Sequence, residues 1–444
     1  MHKKATPIQI LVLGYIILTI IGGVILCLPI SSEKYEYTPF IDALFTAASA
    51  ISTTGLGVVD TGSHFSIFGQ IILLILIQIG GLGYMVFIAV VSFGIGARFS
   101  INGSRLLTES IARPTDIEIK KFIKAVILFT IIFESIGALF LTIVFIQHFP
   151  IIESIYSAVF HSISAFCTAG FSLYPDSFIR YADDVFVNVT IAIITIAGGI
   201  GFFVLYDLWK YFINKAKHNY PVRLTDHTKL VLIVTFGLMI VGTIVLFFSE
   251  GFFNNTSSIT EELLKSSFQS ISASSTTGFN SIDIGSMREI SLLGLIILMF
   301  IGASPGSTGG GIKTSTFGIL LLFLKRVITN REDLTAFRRS IPESTANKAI
   351  GLTLFAFVYT ILVVFMLASV EKFSLLQIFF ETTSAIGTVG LSMGITSSLS
   401  LTGKILIIVT MLVGRVGPLA IGYSLVGRIR NQKHSYPTGN VMAG

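Results

Sequence analysis

Long apolar runs broken by short polar stretches set the first reading of this chain. Runs near 8–30, 66–94, 121–147, 185–212, 227–249, 347–370 and 401–426 are long enough to cross a membrane as helices, since a hydrocarbon core of about 30 Å takes roughly 20 helical residues. An eighth run, 289–328, is interrupted by glycines. The first run follows a short basic stretch, as a signal peptide would. Its apolar length and its lack of a small-residue cleavage site make it a retained span. The pattern predicts an all-α integral membrane protein of eight spans.

Composition strengthens this reading. Of 444 residues, 52% are hydrophobic and only 12% charged, and the mean hydropathy is +0.84, more apolar surface than a soluble fold hides. Eight spans put both termini on one face, and 22 of the 30 Lys and Arg residues fall on that face. The positive-inside bias makes it cytoplasmic. The net charge of +6 follows from this placement and carries no implication of nucleic-acid binding. Cys27 and Cys167, at apolar positions, make no disulfide framework.

Between successive pairs of spans, one short segment recurs without gaps: FTAASAISTTGL from Phe45, FHSISAFCTAGF from Phe160, FQSISASSTTGF from Phe268 and FETTSAIGTVGL from Phe380. Each has Phe ten residues before a glycine, Ser six before, Ala five before and Thr two before; the serines are Ser49, Ser164, Ser272 and Ser384. Five matching columns across four segments mark internal repeats. The glycines are 115, 108 and 112 residues apart, which divides the chain into repeats at 1–112, 113–222, 223–342 and 343–444. Each repeat reads as span, short helix, span, with all four in one orientation, so the expected architecture is a pseudo-fourfold ring around a central pore. The short segments cannot cross the membrane and return, and so are re-entrant. Asp42, Glu153, and Glu261 with Glu262 suit the first turns of three of them, and the fourth, near Ser374, has only a serine.

Non-helical backbone at membrane depth is tolerated only where it is buried in protein or lines a water-filled cavity. Four Thr-x-Gly segments around an axis would therefore line a pore. Glycine tolerates the positive φ that can turn successive carbonyls inward, where a ring of oxygens replaces a cation's hydration shell. The short helices would add the negative ends of their dipoles. The expected ion-binding residues are Thr53, Thr54 and Gly55; Thr168, Ala169 and Gly170; Thr276, Thr277 and Gly278; and Thr388, Val389 and Gly390. Acidic residues in the outer loops, Glu33, Glu36, Asp60, Asp176, Asp183, Asp184, Glu250, Asp283, Glu289 and Glu371, either concentrate cations at the mouth or are ordinary solvated loop residues.

Span, short helix, Thr-x-Gly and span, four times in one chain, resembles the Trk/Ktr/HKT superfamily of potassium transporters over nearly the whole length. The short termini are most similar to those of the membrane subunits of bacterial Ktr systems. The resemblance implies a plasma-membrane potassium uptake subunit with Gly55, Gly170, Gly278 and Gly390 as its selectivity-filter glycines. Family members with serine in the first repeat favour sodium, so Gly55 implies potassium. It further implies a homodimer on a cytosolic ring of nucleotide-binding RCK subunits, with K+ as the transported ion, Na+ as an activator and no cofactor in this chain. The residue before each filter glycine, Thr54, Ala169, Thr277 or Val389, departs from a perfect ring.

The second spans carry small residues at similar depth: Gly80, Gly81 and Gly83; Gly198, Gly199 and Gly201; Gly414 and Gly417. Only in the third repeat does this become GASPGSTGGGIKT, Gly302 to Thr314. Pro305 and the glycines Gly302, Gly306, Gly309, Gly310 and Gly311 preclude a regular helix, so a break over 302–313 is expected in that repeat alone. The stretch nearly spells a phosphate-binding loop, but Ile312 stands before Lys313 and no strand precedes it. A gating loop below the filter, which is also the family's use of it, stands against a packing kink between close helices. Arg415 matches Gly81 and Gly199 and lies inside an apolar span, where an unpaired charge costs about 2.5 to 3.5 kcal/mol. It either faces the pore and binds carbonyls of the 302–311 loop, with Lys313 adding to the barrier, or pairs with an acid such as Glu134, which could instead sit at a subunit contact. His161 and Glu381 share a column with Thr46 and Gln269 and read as polar packing rather than a metal site.

An ion-coupled secondary transporter with alternating access, a K+/Na+ or K+/H+ symporter, remains the alternative; inverted repeats, its usual signature, are absent. No nucleophile, base and orienter constellation suggests an enzyme. With intracellular loops of only about 25 to 30 residues, regulation is expected from a docking partner.

Overall fold

The computed structural model describes residues 7–83, 119–217, 223–250 and 258–417. The first stretch holds α1 (Pro7–Cys27), α2 (Phe40–Ile51) and α3 (Ile67–Leu82). The second holds α4 (Ile119–Phe145), α5 (Ile151–Phe166), α6 (Val185–Gly199) and α7 (Phe202–Lys217). Then come α8 (Asp226–Glu250), α9 (Ile259–Ser274), α10 (Glu289–Phe300) and α11 (Thr314–Ile328). A two-residue hairpin, β1 (Thr335–Ala336) with β2 (Arg339–Ser340), leads to α12 (Glu343–Val370), α13 (Leu375–Gly387) and α14 (Leu401–Val416).

The distribution of polarity is that of a membrane protein. Long apolar stretches of α1, α4, α8 and α12 meet the length needed to cross a membrane. Their outer faces expose Ile17, Ile20, Leu139, Ile240 and Phe365, while serines and threonines of α2, α5, α9 and α13 are buried. Exposed apolar belts around an interior that also buries many serines and threonines depart from the soluble rule. The short helices start where chemistry favours a start. Asp42, Glu153, and Glu261 with Glu262 lie in first turns. Ser374 and Gln377 form a reciprocal capping box on α13, so the fourth start has more than its serine, and the S-x-x-Q pattern signals it. Glu371, at the end of α12, accepts from the amide (2.9 Å) and hydroxyl (2.6 Å) of Ser400, clamping the start of α14. Glu250 does the same for α10 through the Arg288 amide at 2.8 Å.

The apolar core is partitioned among the contacts between successive repeats. One cluster joins α1 to α3 with Phe160 and Phe171, and a second joins α4 to α7 with Phe268 and Phe279. A third joins α8 to α10 with Phe380 and Leu391, and a fourth joins α12 to α14 with Phe45 and Leu56. The recurring phenylalanine is thus a wedge driven into the core of the preceding repeat, and Phe45 closes the circle from the first repeat to the fourth. All four are at most 3% exposed. Lys404 and Asp42 add an ion pair of 2.6 Å across the same closure.

Two expectations need correction. The third repeat is not alone in breaking its second helix: α6 and α7 are bent by 100° at residues 200–201. Nor do 66–94 and 401–426 continue as single helices, since α3 ends before Gly83 and α14 before Gly417. The cause is common: Gly83, Gly201 and Gly417 adopt φ of +78°, +95° and +97°, a conformation that ends a helix and suits glycine. The remainders of those runs, and eight of the 22 basic positions used for orientation, Lys3, Lys4, Arg98, Arg105, Arg113, Arg428, Arg430 and Lys433, lie outside the described residues.

Candidate functional site

At the end of each short helix the chain makes the same turn. Thr53, Thr168, Thr276 and Thr388 take φ of +54°, +50°, +59° and +50°, costly for a β-branched residue. The turn is tied down twice. The threonine amide donates to the alanine carbonyl three residues back, at 3.0 to 3.2 Å, and the next amide donates to the serine carbonyl five back, at 2.8 to 2.9 Å. The recurring serine also works through its hydroxyl. Ser49 and Ser384 Oγ accept from the amides of Gly55 and Gly390 at 3.0 Å, and Ser272 Oγ donates to the Phe279 carbonyl at 2.6 Å. Ser164 Oγ has no protein partner.

The four turns meet in cyclic order. A methyl group placed on Gly55 would stand 3.2 Å from Cα of Gly170, and one on Gly170 would stand 3.2 Å from Gly278. On Gly278 it would stand 3.0 Å from Gly390, and on Gly390 3.0 Å from Gly55. In each case it would collide with the neighbour's preceding carbonyl oxygen: Ala169, Thr277, Val389 and Thr54 in turn. All four glycines also have positive φ, so close approach and backbone conformation exclude side chains together. The twelve Thr-x-Gly residues are therefore brought together in one closed ring of backbone.

Against this ring lies the segment between α10 and α11. Thr308, which the sequence reasoning passed over, is its centre. Its carbonyl accepts from Thr53 Oγ1 at 3.0 Å, its hydroxyl lies 3.0 Å from that of Thr168 and donates to the Phe166 carbonyl at 3.1 Å. A side chain on Gly309 would collide with Thr276 Oγ1, and one on Gly310 would stand 2.7 Å from Thr388 Cγ2. One short segment thus touches the threonine of every turn, and all four threonines are fully buried. A lone threonine amid glycines was the available signal. The far side of the segment rests on the α6–α7 break: Ser304 donates to the Gly199 carbonyl at 3.0 Å and Phe202 to that of Gly306 at 2.9 Å. Pro305 and Gly302 belong to the same segment, where Gly302 packs on Gly310 and Gly311.

The two cations act on this segment through carbonyls. Lys313 Nζ donates to Gly309 at 2.6 Å and Gly310 at 3.2 Å, three and four residues back in its own loop. Arg415 donates to the carbonyls of Thr308 and Gly80, and at 3.3 Å to Gly81, bridging the loop to the end of α3. Glu134 is not its partner. That carboxylate accepts from Gln78 Nε2 at 3.0 Å and faces the Cys167 thiol, joining α4 to α3 behind the second turn. Among the described residues no cluster of His, Cys, Asp or Glu could hold a metal ion.

An apolar-faced helical protein built around a closed ring of backbone, with a loop and two cations beneath it, is a membrane transport protein by construction. The chain belongs to the TrkH family of cation transport proteins, whose model matches residues 3–428; this is a transporter family rather than one of enzymes. It is 40% identical to the Ktr system potassium uptake protein B of Bacillus subtilis (strain 168), over 99% of this chain and 97% of the relative. It is 38% identical to the protein of the same name from Vibrio alginolyticus, over 98% and 94%. The fold is similar to the crystal structure of the potassium transporter TrkH from Vibrio parahaemolyticus. The TM-score is 0.73 at 19% identity, with 96% of this chain and 86% of that one covered.

Proposed function

We propose that this chain is the pore-forming membrane subunit of a potassium uptake system, passing K+ down its electrochemical gradient through a filter of four carbonyl segments. The observation that carries the reading is the cyclic contact of Gly55, Gly170, Gly278 and Gly390, which suits coordination of a dehydrated cation by backbone oxygens. Potassium as the ion is supported by the names of the similar proteins.

In this reading the loop 302–313 is the gate. It covers all four filter threonines, and Arg415 fastens it while placing positive charge against the ion path. Four repeats in one orientation give eight spans, and the basic bias of one set of loops puts both termini in the cytoplasm of a cell-membrane protein. The Ktr-system names of the relatives support a second component. We assign it to a cytosolic nucleotide-binding ring under a homodimer of this chain, with sodium as an activator. Expression in cells stripped of their own potassium uptake tests the reading: growth at limiting potassium with saturable K+ uptake is expected, and failure of both in cells that carry the protein in their membranes overturns it.

A further inference from the structure

Behind the filter, the residue that follows the wedge phenylalanine differs in every repeat: Thr46, His161, Gln269 and Glu381, all at most 1% exposed. Their hydrogen bonds divide them into two kinds. Glu381 reaches from α13 to the segment just past its filter glycine. One carboxylate oxygen accepts from Ser392 Oγ at 2.9 Å and the other from Thr396 Oγ1. Ser392 in turn accepts from the Gly394 amide at 3.0 Å, so the carboxylate holds a closed turn beginning two residues beyond Gly390. His161 makes the equivalent contact in the second repeat. Nε2 lies 3.0 Å from Ser172 Oγ and accepts from the Leu173 amide at 3.2 Å, while Nδ1 donates to the Ser157 carbonyl at 2.8 Å. Ser172 too stands two residues past its glycine, and it too accepts an amide two residues on, from Tyr174 at 2.9 Å.

The other two repeats have no such tie. Thr46 turns back to the Asp42 carbonyl of its own helix at 2.8 Å. Neither polar atom of Gln269 has a protein partner. The positions two past the glycine are Gly57 and Asn280; the Asn280 side-chain amide donates to the Ile282 carbonyl at 3.0 Å, and its backbone is bonded to Ser177 and Phe178 of the second repeat rather than to Gln269. By the cyclic order of the ring, the second and fourth repeats are diagonal to each other.

We propose that Glu381 and His161 are specificity-determining positioning residues, two diagonal side-chain clamps that hold the outer ends of the second and fourth filter strands. This rests on the reading of the ring as a filter. One way in which a carbonyl cage refuses the smaller of two alkali cations is for its strands to resist closing around it. The clamps bear on Ser172 and Ser392, two residues past Gly170 and Gly390. The third strand is held differently, by Ser272 Oγ on the Phe279 carbonyl and by backbone contacts of Asn280 with the second repeat, so the clamps are what distinguishes the second and fourth strands in this column.

The test compares initial rates of potassium and sodium uptake by the full chain in cells lacking other uptake systems, with KM and maximal rate separated. Glu381→Gln and Ser392→Ala are each expected to lower potassium preference over sodium about tenfold and to raise KM for potassium. The maximal rate should stay within about twofold, and the double variant should be no worse than either single one, as expected for partners in one interaction. Gln269→Leu and Thr46→Val, at the two positions of this column that do not bind the segment past the glycine, are expected to leave the ratio unchanged. Should Glu381→Gln fail to reach the membrane, Ser392→Ala and Thr396→Val remove only hydroxyls and carry the test. An unchanged ratio in the hydroxyl variants, or an equal loss in Gln269→Leu, overturns the proposal. Gly55→Ser in the same assay separates the two failures: if it alters the ratio while the clamp variants do not, the filter stands and the clamps fall. If none alters it, the filter reading itself has failed.

Discussion

Arg415→Ala isolates the fastening of the loop. Of the three carbonyls that the guanidinium binds, Gly80 and Gly81 belong to α3, and only Thr308 lies on the loop. The contribution to loop closure is therefore one charge-assisted hydrogen bond, about 1.5 to 3 kcal/mol. At about 1.4 kcal/mol per tenfold, its loss moves the balance between covered and uncovered filter by roughly 10- to 150-fold. Removing the positive charge acts in the same direction: at about 10 Å and an effective dielectric of about 20 it opposes a monovalent cation by about 1.7 kcal/mol. Lys313 Nζ donates to Gly309 and Gly310 of its own loop, so Lys313→Met should loosen that loop without releasing it, and its effect should be smaller. The assay is potassium influx at saturating and at limiting concentrations, normalised to protein in the membrane. A rise of tenfold or more for Arg415→Ala, with a smaller rise for Lys313→Met, is the expected order. Unchanged or reduced influx in a well-folded Arg415→Ala protein would refute the reasoning.

Other consequences follow from the same geometry. Deleting two residues within Gly306–Gly311 should raise flux several-fold and leave potassium preference intact, because the loop lies against the filter threonines and forms no part of the glycine ring; influx and ion-competition assays read both. Lys404→Met leaves Asp42 unpaired in a largely buried pair, 14% and 16% exposed. The cost, between the surface and fully buried cases, is about 2 kcal/mol, visible as an apparent Tm lower by several degrees in detergent. Phe160→Ala empties a wedge between the first two repeats and should cost about 3 to 5 kcal/mol, with loss of protein from the membrane fraction as the readout.

The repeat itself was fully legible in the chain because five columns recur without gaps, and the structure supplies the reasons for them. The phenylalanine wedges into the preceding repeat, the serine binds the turn beyond it, and the threonine and glycine supply positive φ. A carbonyl of the 302–311 loop was among the partners the sequence left open for Arg415, and Thr308 is one, but the α3 carbonyls of Gly80 and Gly81 were not foreseen; Glu134 turned to Gln78, a choice decided by which faces of α3 and α4 meet. Less legible was the ending of helices at Gly83, Gly201 and Gly417. A Gly-x-x-Gly pattern fits a kink as well as a stop, and only the dihedral of the last glycine separates them. The alternation of His161 and Glu381 with Thr46 and Gln269 was visible as a polar column but silent as to partners, since Ser172 and Ser392 approach only after the turn is made.

The most direct measurement is the ratio of potassium to sodium uptake for the native chain and for Gly55→Ser. At Gly55, φ is +92° and any Cβ meets the Ala169 carbonyl oxygen. The residue therefore carries about 1 to 2 kcal/mol of backbone cost and must displace a ring oxygen. A potassium preference reduced tenfold or more in Gly55→Ser, with protein still present in the membrane, is the predicted result. An unchanged ratio would contradict the assignment of this ring as the selectivity filter.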